Sequence, residues 1–264
     1  MTALLIASLS SGSCGNSLLV QSNGFSVLLD AGLPAKATSA ALKSLGSSLE
    51  AVNAILVSHE HRDHICGLGE IVDAHPVPLY FASAVRSAVA QPWMDKTLTL
   101  PFVPNRPFRL GPWEVLPVPV PHDATAPVGF FLKTRDFCLA YFVDIGRVTP
   151  RILRQMAASD VIVLESNHDS EMLATGTYPE FLKRRIRSGK GHISNDEAGA
   201  ALVQVFRERR AFPPVVFLAH LSDNNNTPQL ALETVHACLR RDGVLLPTSV
   251  DYAPRGTPKI LFDG

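Results

Sequence analysis

The sequence predicts a layered α/β chain of the α+β type, with two mixed β-sheets carrying helices on their outer sides. Three observations predict it. Short apolar runs alternate with helix-patterned segments along the whole length. Strand runs come in hairpin-like groups early in each half, and helices follow them. No linker-like, repetitive or low-complexity tract interrupts the 264 residues, so residues 1–264 read as one domain.

In order, Leu4–Leu9, Ser17–Gln21, Phe25–Leu29 and Ala54–Val57 read as strands. Pro34–Leu45 and Gly67–Ala74 read as helices, the first with proline near its start, where a missing N–H costs nothing. A proline-rich middle holds the strands Phe108–Leu110 and Trp113–Val120. Val128–Lys133 and Cys138–Val143 form a predicted hairpin about Thr134-Arg135-Asp136. Val161–Glu165 and Val215–Ala219 are almost purely apolar, as strands buried on both faces must be. Helices are predicted over Pro150–Ala157, Ser194–Arg209 and Pro228–Arg240. The second of these opens on Ser194-Asn195-Asp196-Glu197, a capping hydroxyl followed by an acidic first turn.

Composition narrows the function. Lys+Arg and Asp+Glu both number 24, so global charge does not mark a strongly basic nucleic-acid binder, although a local basic patch remains open. Cys14, Cys66, Cys138 and Cys238 form no CxxC pair and read as reduced thiols of a cytoplasmic protein, with a supporting role beside the histidine cluster open to Cys66. The apolar start lacks a basic region and breaks at Ser8, so it reads as a first strand and not as a signal peptide. No stretch is long and apolar enough for a membrane span.

The decisive segment is Val57-Ser58-His59-Glu60-His61-Arg62-Asp63-His64, which follows a buried strand and precedes a helix. Three imidazoles and a carboxylate within six residues suit zinc or another divalent ion that accepts nitrogen and oxygen ligands. Further ligand-type residues stand at later strand ends: His122 after Val118-Pro119-Val120-Pro121, Asp144 after Leu139–Val143, and His220 after Val215–Ala219. Each alone is a weak signal; together, and after HxHxDH, they point to a metal centre.

In this order the residues resemble the metallo-β-lactamase superfamily, and Asp30 matches its early strand-end aspartate, which supports the metal loop. More narrowly, Ser8–Ser17, Glu165-Ser166-Asn167-His168-Asp169, Gly191-His192-Ile193-Ser194-Asn195 and Ala219-His220-Leu221-Ser222 resemble the YycJ/WalJ group of small hydrolases, with Cys14 a departure where a small residue such as serine is expected. The resemblance implies an αββα sandwich and two divalent ions, zinc or manganese. It assigns His59, His61 and His122 to one ion and Asp63, His64 and His220 to the other, with Asp144 bridging. Asp63 would also orient a metal-bridging hydroxide. Class B β-lactamases lack the bridging aspartate, so Asp144 argues against lactam hydrolysis, whereas glyoxalase-II-like thioesterases share the full set.

What distinguishes substrates lies outside the ligands. Two ions suit phosphodiester displacement but also thioesters and lactones. In tRNA-processing endonucleases of the superfamily a Glu and a His at positions similar to Glu165 and His192 assist phosphoryl transfer. A histidine held by a carboxylate is a suitable donor to an alkoxide leaving group, though His192 also reads as a helix-capping residue. Lys183, Arg184, Arg185, Arg187 and Lys190 put five cations in eight residues ahead of His192; the run reads equally as a phosphate contact and as a solvated helix face. Ser11, Asn16 and Asn225 lie in segments able to donate to phosphate, or to form ordinary turns. His168 takes no assigned chemistry, and His75 and His236 read as structural. No base-stacking surface is evident.

The leading expectation is a cytoplasmic dinuclear phosphodiesterase acting on nucleic acid, exonuclease-like as the resemblance implies. The alternative is a thioester, lactone or cyclic-phosphodiester hydrolase, which the neutral charge balance favours. A non-catalytic metal-binding module is the third reading, and the complete ligand set argues against it.

Overall fold

Apolar content and register, more than local propensity, decide which strands become central. A computed structural model describes residues 4–208, 213–244 and 249–264. The chain opens with β1 (Leu4–Ser10), β2 (Ser17–Ser22) and β3 (Phe25–Leu29). It continues through α1 (Ala35–Ser44), β4 (Val52–Leu56), α2 (Arg62–Ile65), α3 (Leu68–Ala74), β5 (Leu79–Ala82), α4 (Ser83–Val89) and β6 (Thr99–Phe102). Then come β7 (Phe108–Leu110), β8 (Trp113–Pro119), β9 (Val128–Lys133), β10 (Cys138–Phe142), α5 (Pro150–Ala157) and β11 (Val161–Glu165). The chain closes with α6 (Ser170–Thr175), α7 (Glu180–Ile186), α8 (Asn195–Glu208), β12 (Val215–Ala219), α9 (Pro228–Arg241), β13 (Val250–Tyr252) and β14 (Lys259–Asp263).

Two compact units result. The first comprises residues 4–117, 124–128 and 253–264. Its sheet runs β14-β1-β2-β3-β4-β5-β6. The strands from β14 to β3 pair antiparallel, and those from β3 to β6 pair parallel. The β7–β8 hairpin also belongs largely to this unit, and Trp113 in it is fully buried. The second unit comprises residues 118–123 and 129–252. There β9 pairs antiparallel with β10, and β10, β11, β12 and β13 pair in parallel. Both sheets are therefore mixed. As the apolar runs require, every residue of β11 is buried and so is all of β12 after Val215.

Several predicted bounds shift by a residue or two, as helix and strand ends commonly do. One strand is displaced: β4 starts at Val52 and ends at Leu56, because it takes its register from β3. The proline-rich middle also holds β5 and β6. Pro101 is tolerated in β6 because that strand is an edge and its missing N–H breaks no ladder. At the other edge β14 pairs with β1, and β13 extends the second sheet. The predicted helix end at Arg209 and the first three residues of the chain's opening run lie outside the described residues. No helix among the described residues is long and apolar enough to cross a membrane.

The start of α8 closes as the sequence predicts. Ser194 Oγ accepts from Glu197 N at 3.2 Å, and Glu197 Oε2 accepts from Ser194 N at 2.8 Å, a reciprocal capping box. Replacing Ser194 by alanine is expected to lower stability by about 1 kcal/mol, read as a lower denaturation midpoint at unchanged slope in a urea titration.

Candidate metal centre

In the first unit, pairing of Ser10 with Ser17, Leu18 with Leu29 and Leu29 with Leu56 brings the end of β1, the start of β2 and the ends of β3 and β4 to one sheet edge. Asp30 stands just past β3 and is fully buried, with a left-handed φ of 63°. A carboxylate there must be matched by donors, since an unmatched buried charge is untenable. Its Oδ1 accepts from Ser58 N at 2.8 Å; its Oδ2 accepts from Ser58 Oγ at 2.9 Å and from His64 Nδ1 at 2.8 Å. Ser58 Oγ, having given its proton to Asp30, accepts from His59 Nδ1 at 2.9 Å. Both histidines are thereby fixed with the proton on Nδ1 and the lone pair on Nε2, the atom a metal takes. The rings of His59 and His61 lie 4.7 Å apart, and those of His59 and His64 4.1 Å apart.

Asp63 and His64 fall in the single turn of α2, with His61 at its N-cap. Asn16 is buried against them, its Nδ2 lying 3.2 Å from Asp63 Oδ2 and 3.0 Å from His64 Nε2. Its Oδ1 accepts from Gly12 N at 2.9 Å, which ties the loop after β1 to the cluster. The main chain is equally close: Asn16 N donates to Asp63 O at 2.7 Å, and a Cβ at Gly32 would fall 1.7 Å from that same oxygen. Only glycine fits there.

In the second unit, β10, β11 and β12 are parallel, so Asp144, Glu165 and His220 emerge at one edge. Asp144 and His220 have φ of 53° and 54°. Glu165, fully buried, repeats the role of Asp30. Its Oε1 accepts from His192 Nδ1 at 2.8 Å and from His220 Nδ1 at 2.9 Å; its Oε2 accepts from Ile145 N at 2.8 Å and from Ile193 N at 3.4 Å. Asp144 Oδ1 is 3.3 Å from Nδ1 of both histidines. His122 turns its Nδ1 to Gly191 O at 3.1 Å. Ligand-type atoms of Asp144, Glu165, His192 and His220 all lie within 4.8 Å of one another. With four donors on its two oxygens, Glu165 reads as the support of this group and not as a ligand.

The electrostatics follow. Burial pushes the Glu165 carboxyl up, but the charges and hydrogen bonds of His192 and His220 outweigh it and hold it below the ordinary glutamate value. Burial lowers the His192 imidazole, and the Glu165 charge and hydrogen bond, with Asp144, raise it above its usual value. Burial wins at His122, against the opposing pull of Asp144, and lowers it. It wins at His168 too, whose Nδ1 is buried without a hydrogen-bond partner among the described residues.

The substrate-side candidates are placed less uniformly. Ser11 is buried, and its N–H donates to Pro254 O. Asn225 is buried and its carbonyl accepts from Asp169 N. Arg185 bonds Asp123 at 2.5 Å; Arg187 reaches Lys183 O and Glu180; Lys190 is exposed. Lys183 leaves the basic run, for its buried Nζ donates to Ala174 O at 2.8 Å. Sequence reasoning missed Ser58 and the carbonyl of Gly191 as holders of imidazole protons, and missed Asn16 as a neighbour of Asp63 and His64. The position of Ser58 immediately before HxHxDH was the available signal.

Known proteins resemble this sequence and share its fold. Residues 26–213 match the family model described as the β-lactamase superfamily domain. The chain is 36% identical over 239 residues to exodeoxyribonuclease YycJ of Bacillus anthracis, with 89% of each covered. It is 31% identical over 231 residues to exodeoxyribonuclease WalJ of Streptococcus pneumoniae serotype 2 (strain D39 / NCTC 7466), covering 86% of this chain and 85% of that one. Among solved structures, the metallo-β-lactamase fold protein YhfI from Bacillus subtilis superposes with a TM-score of 0.73 at 16% identity, over 99% of this chain and all of that one. Zinc-bound PqqB from Methylobacterium extorquens gives 0.70 at 17% identity, over 97% and 99%. These likenesses show the metallo-β-lactamase fold, and the His/Asp clusters suit divalent ions.

Removing Asp30 would strand the Ser58 and His64 donors in the core. Asp30→Ala is expected to cost about 3 kcal/mol of stability, measured by denaturant titration of the metal-free protein. Asp30→Asn, which keeps two acceptor lone pairs, should cost less.

Proposed function

Because the chain belongs to the metallo-β-lactamase superfamily, close to the YycJ/WalJ group, and is a metallohydrolase, we propose that it is a phosphodiesterase that degrades nucleic acid in an exonuclease-like manner. His59, His61, Asp63, His64, His122, Asp144 and His220 are the proposed ligands of two divalent ions, zinc or manganese. Such ions supply charge stabilisation at phosphoryl oxygens and an activated water. The donor set fits them: His59, His64, His122 and His220 each turn Nδ1 to an oxygen and so keep Nε2 for the metal.

One observation carries the choice of reaction. A single oxygen, Glu165 Oε1, holds the Nδ1 protons of both His192 and His220. The same carboxylate therefore orients a proposed ligand and, beside it, a histidine outside the ligand set. Glu165 positions His192 with its Nε2 as the proton-bearing atom, and His192 delivers that proton to the departing nucleoside oxygen. An alkoxide needs such help; a thiolate, leaving at a lower pKa, needs it much less. Asp63, the other proposed catalytic residue, orients the attacking water. The names of the YycJ and WalJ relatives agree with DNA as the polymer. The zero net charge favours a small-molecule phosphodiester, thioester or lactone substrate as the second reading.

Three outcomes test this. Asp144→Ala should lower the metal content measured by elemental analysis from two ions per chain and abolish hydrolysis; a wild-type protein that retains one ion or fewer after reconstitution overturns the dinuclear assignment. His192→Ala should slow oligonucleotide cleavage at least about a hundred-fold. It should slow bis-nitrophenyl phosphate hydrolysis far less, because nitrophenolate departs largely unaided, and metal content should be unchanged. Equal loss on both substrates, or none on oligonucleotide, removes the proton-donor role. A wild-type protein that cleaves thioester and no form of DNA or RNA transfers the function to the second reading.

A further inference from the structure

Helix α7 is held down by Ile186 and by the buried stem of Lys183, whose ammonium is spent on Ala174 O and, at 3.4 Å, on Glu180. These anchors dictate what faces water. Phe181 stands 67% exposed and is the one aromatic among the exposed large hydrophobic side chains of the described residues. Arg184 and Arg185, three and four residues on, share its face, because such residues are neighbours on a helix surface. Exposed Arg187 and Lys190 continue the charge into the loop that leads to His192. Among the described residues Arg184 and Lys190 make no ion pair, and Arg185 bonds Asp123, the residue after His122. A lone exposed phenylalanine needs no explanation. One set among four exposed cations, on the segment that ends at the proposed proton donor, has the composition of a strand-binding surface: a flat π-face for a base and cations for the phosphates on either side.

We propose that Phe181 is a stacking platform for one unpaired base of the nucleic-acid substrate, with Arg184, Arg185 and Lys190 holding the adjacent phosphates. The occupant is a single strand, because a paired base does not offer its face to a side chain outside the duplex. Nucleic acid is favoured over a protein partner by charge: Arg184 and Arg185 share the face of the ring, and the neighbouring carboxylate, Glu180, is paired with Lys183 and Arg187, a setting that suits a polyanion with aromatic faces. This inference rests on the proposed nucleic-acid activity and names the part of the substrate that the surface reads.

The test uses the metal-reconstituted full chain and single-stranded DNA oligonucleotides carrying 2-aminopurine, whose fluorescence falls on stacking, beside matched oligonucleotides with abasic positions. Wild type should quench the base and bind it more tightly than the abasic strand. Phe181→Ala should lose the quenching and raise KM and Kd roughly five- to hundred-fold, with kcat little changed, and should no longer distinguish the base-bearing strand from the abasic one. Phe181→Trp should restore both. The side chain stands outside the core, so the variant should fold as wild type does, and a thermal melt checks this. If wild type cuts the oligonucleotide and Phe181→Ala matches it in KM, quenching and base discrimination, the platform is overturned while the nuclease reading stands. A substitution that changes only the oligomeric state overturns the platform in the same way. If wild type neither binds nor cuts any nucleic acid, both fall.

Discussion

A fully buried carboxylate bonded to imidazole N–H is the interaction on which the rest of this structure depends, and each unit holds one among its described residues. Asp30 and Glu165 have no exposed surface. An ionised carboxylate in that position is tenable only when donors surround it. Asp30 collects Ser58 N, Ser58 Oγ and His64 Nδ1; Glu165 collects two imidazoles and two backbone N–H groups. The demand is mutual. The donors satisfy each carboxylate, and His64 and His220 are each kept in one tautomer by it, as His59 is through Ser58.

Parallel pairing is what lets each carboxylate reach its partners. When neighbouring strands run in the same direction their ends line up, and residues just beyond them share one edge. In the first unit the β3–β4 pair aligns Asp30 with Ser58 and the histidines behind it. In the second the β10–β11–β12 set aligns Asp144, Glu165 and His220. The antiparallel strands at the outer side of each parallel set need no such alignment, and of the proposed ligands only His122 follows one, β8. The strand interiors are left to pure packing, with Leu28, Ile55 and Leu56 fully buried in one sheet and Ile162, Leu164 and Leu218 in the other.

This division explains how much was legible in the sequence. Central strands are long apolar runs closed by a polar residue, so β3, β10, β11 and β12 and the residues beyond them could be read without a structure. The Ser194–Glu197 capping box is local in sequence and was equally readable. What could not be read depends on distant neighbours. β5 and β6 are short edge-side strands in a proline-rich stretch, and β13 and β14 become strands only because β12 and β1 offer them open edges. Lys183 looked like one cation of five, yet its burial against Ala174 is set by how α7 packs. Asn16 lies 47 residues from Asp63 in the chain, and nothing in a glycine- and serine-rich loop announces that its amide will rest on a carboxylate and an imidazole.

The left-handed backbone at Asp30, Asp144 and His220 carries a consequence for how such a chain changes over evolutionary time. A side chain in that region costs about 1–2 kcal/mol relative to glycine, and these three positions hold a carboxylate support and two proposed ligands. Mutation to glycine at any of them would relax the main chain while deleting the group the turn exists to aim. Selection for a sturdier fold and selection for the site therefore pull in opposite directions at the same codons. A descendant released from its chemistry should drift to glycine there first.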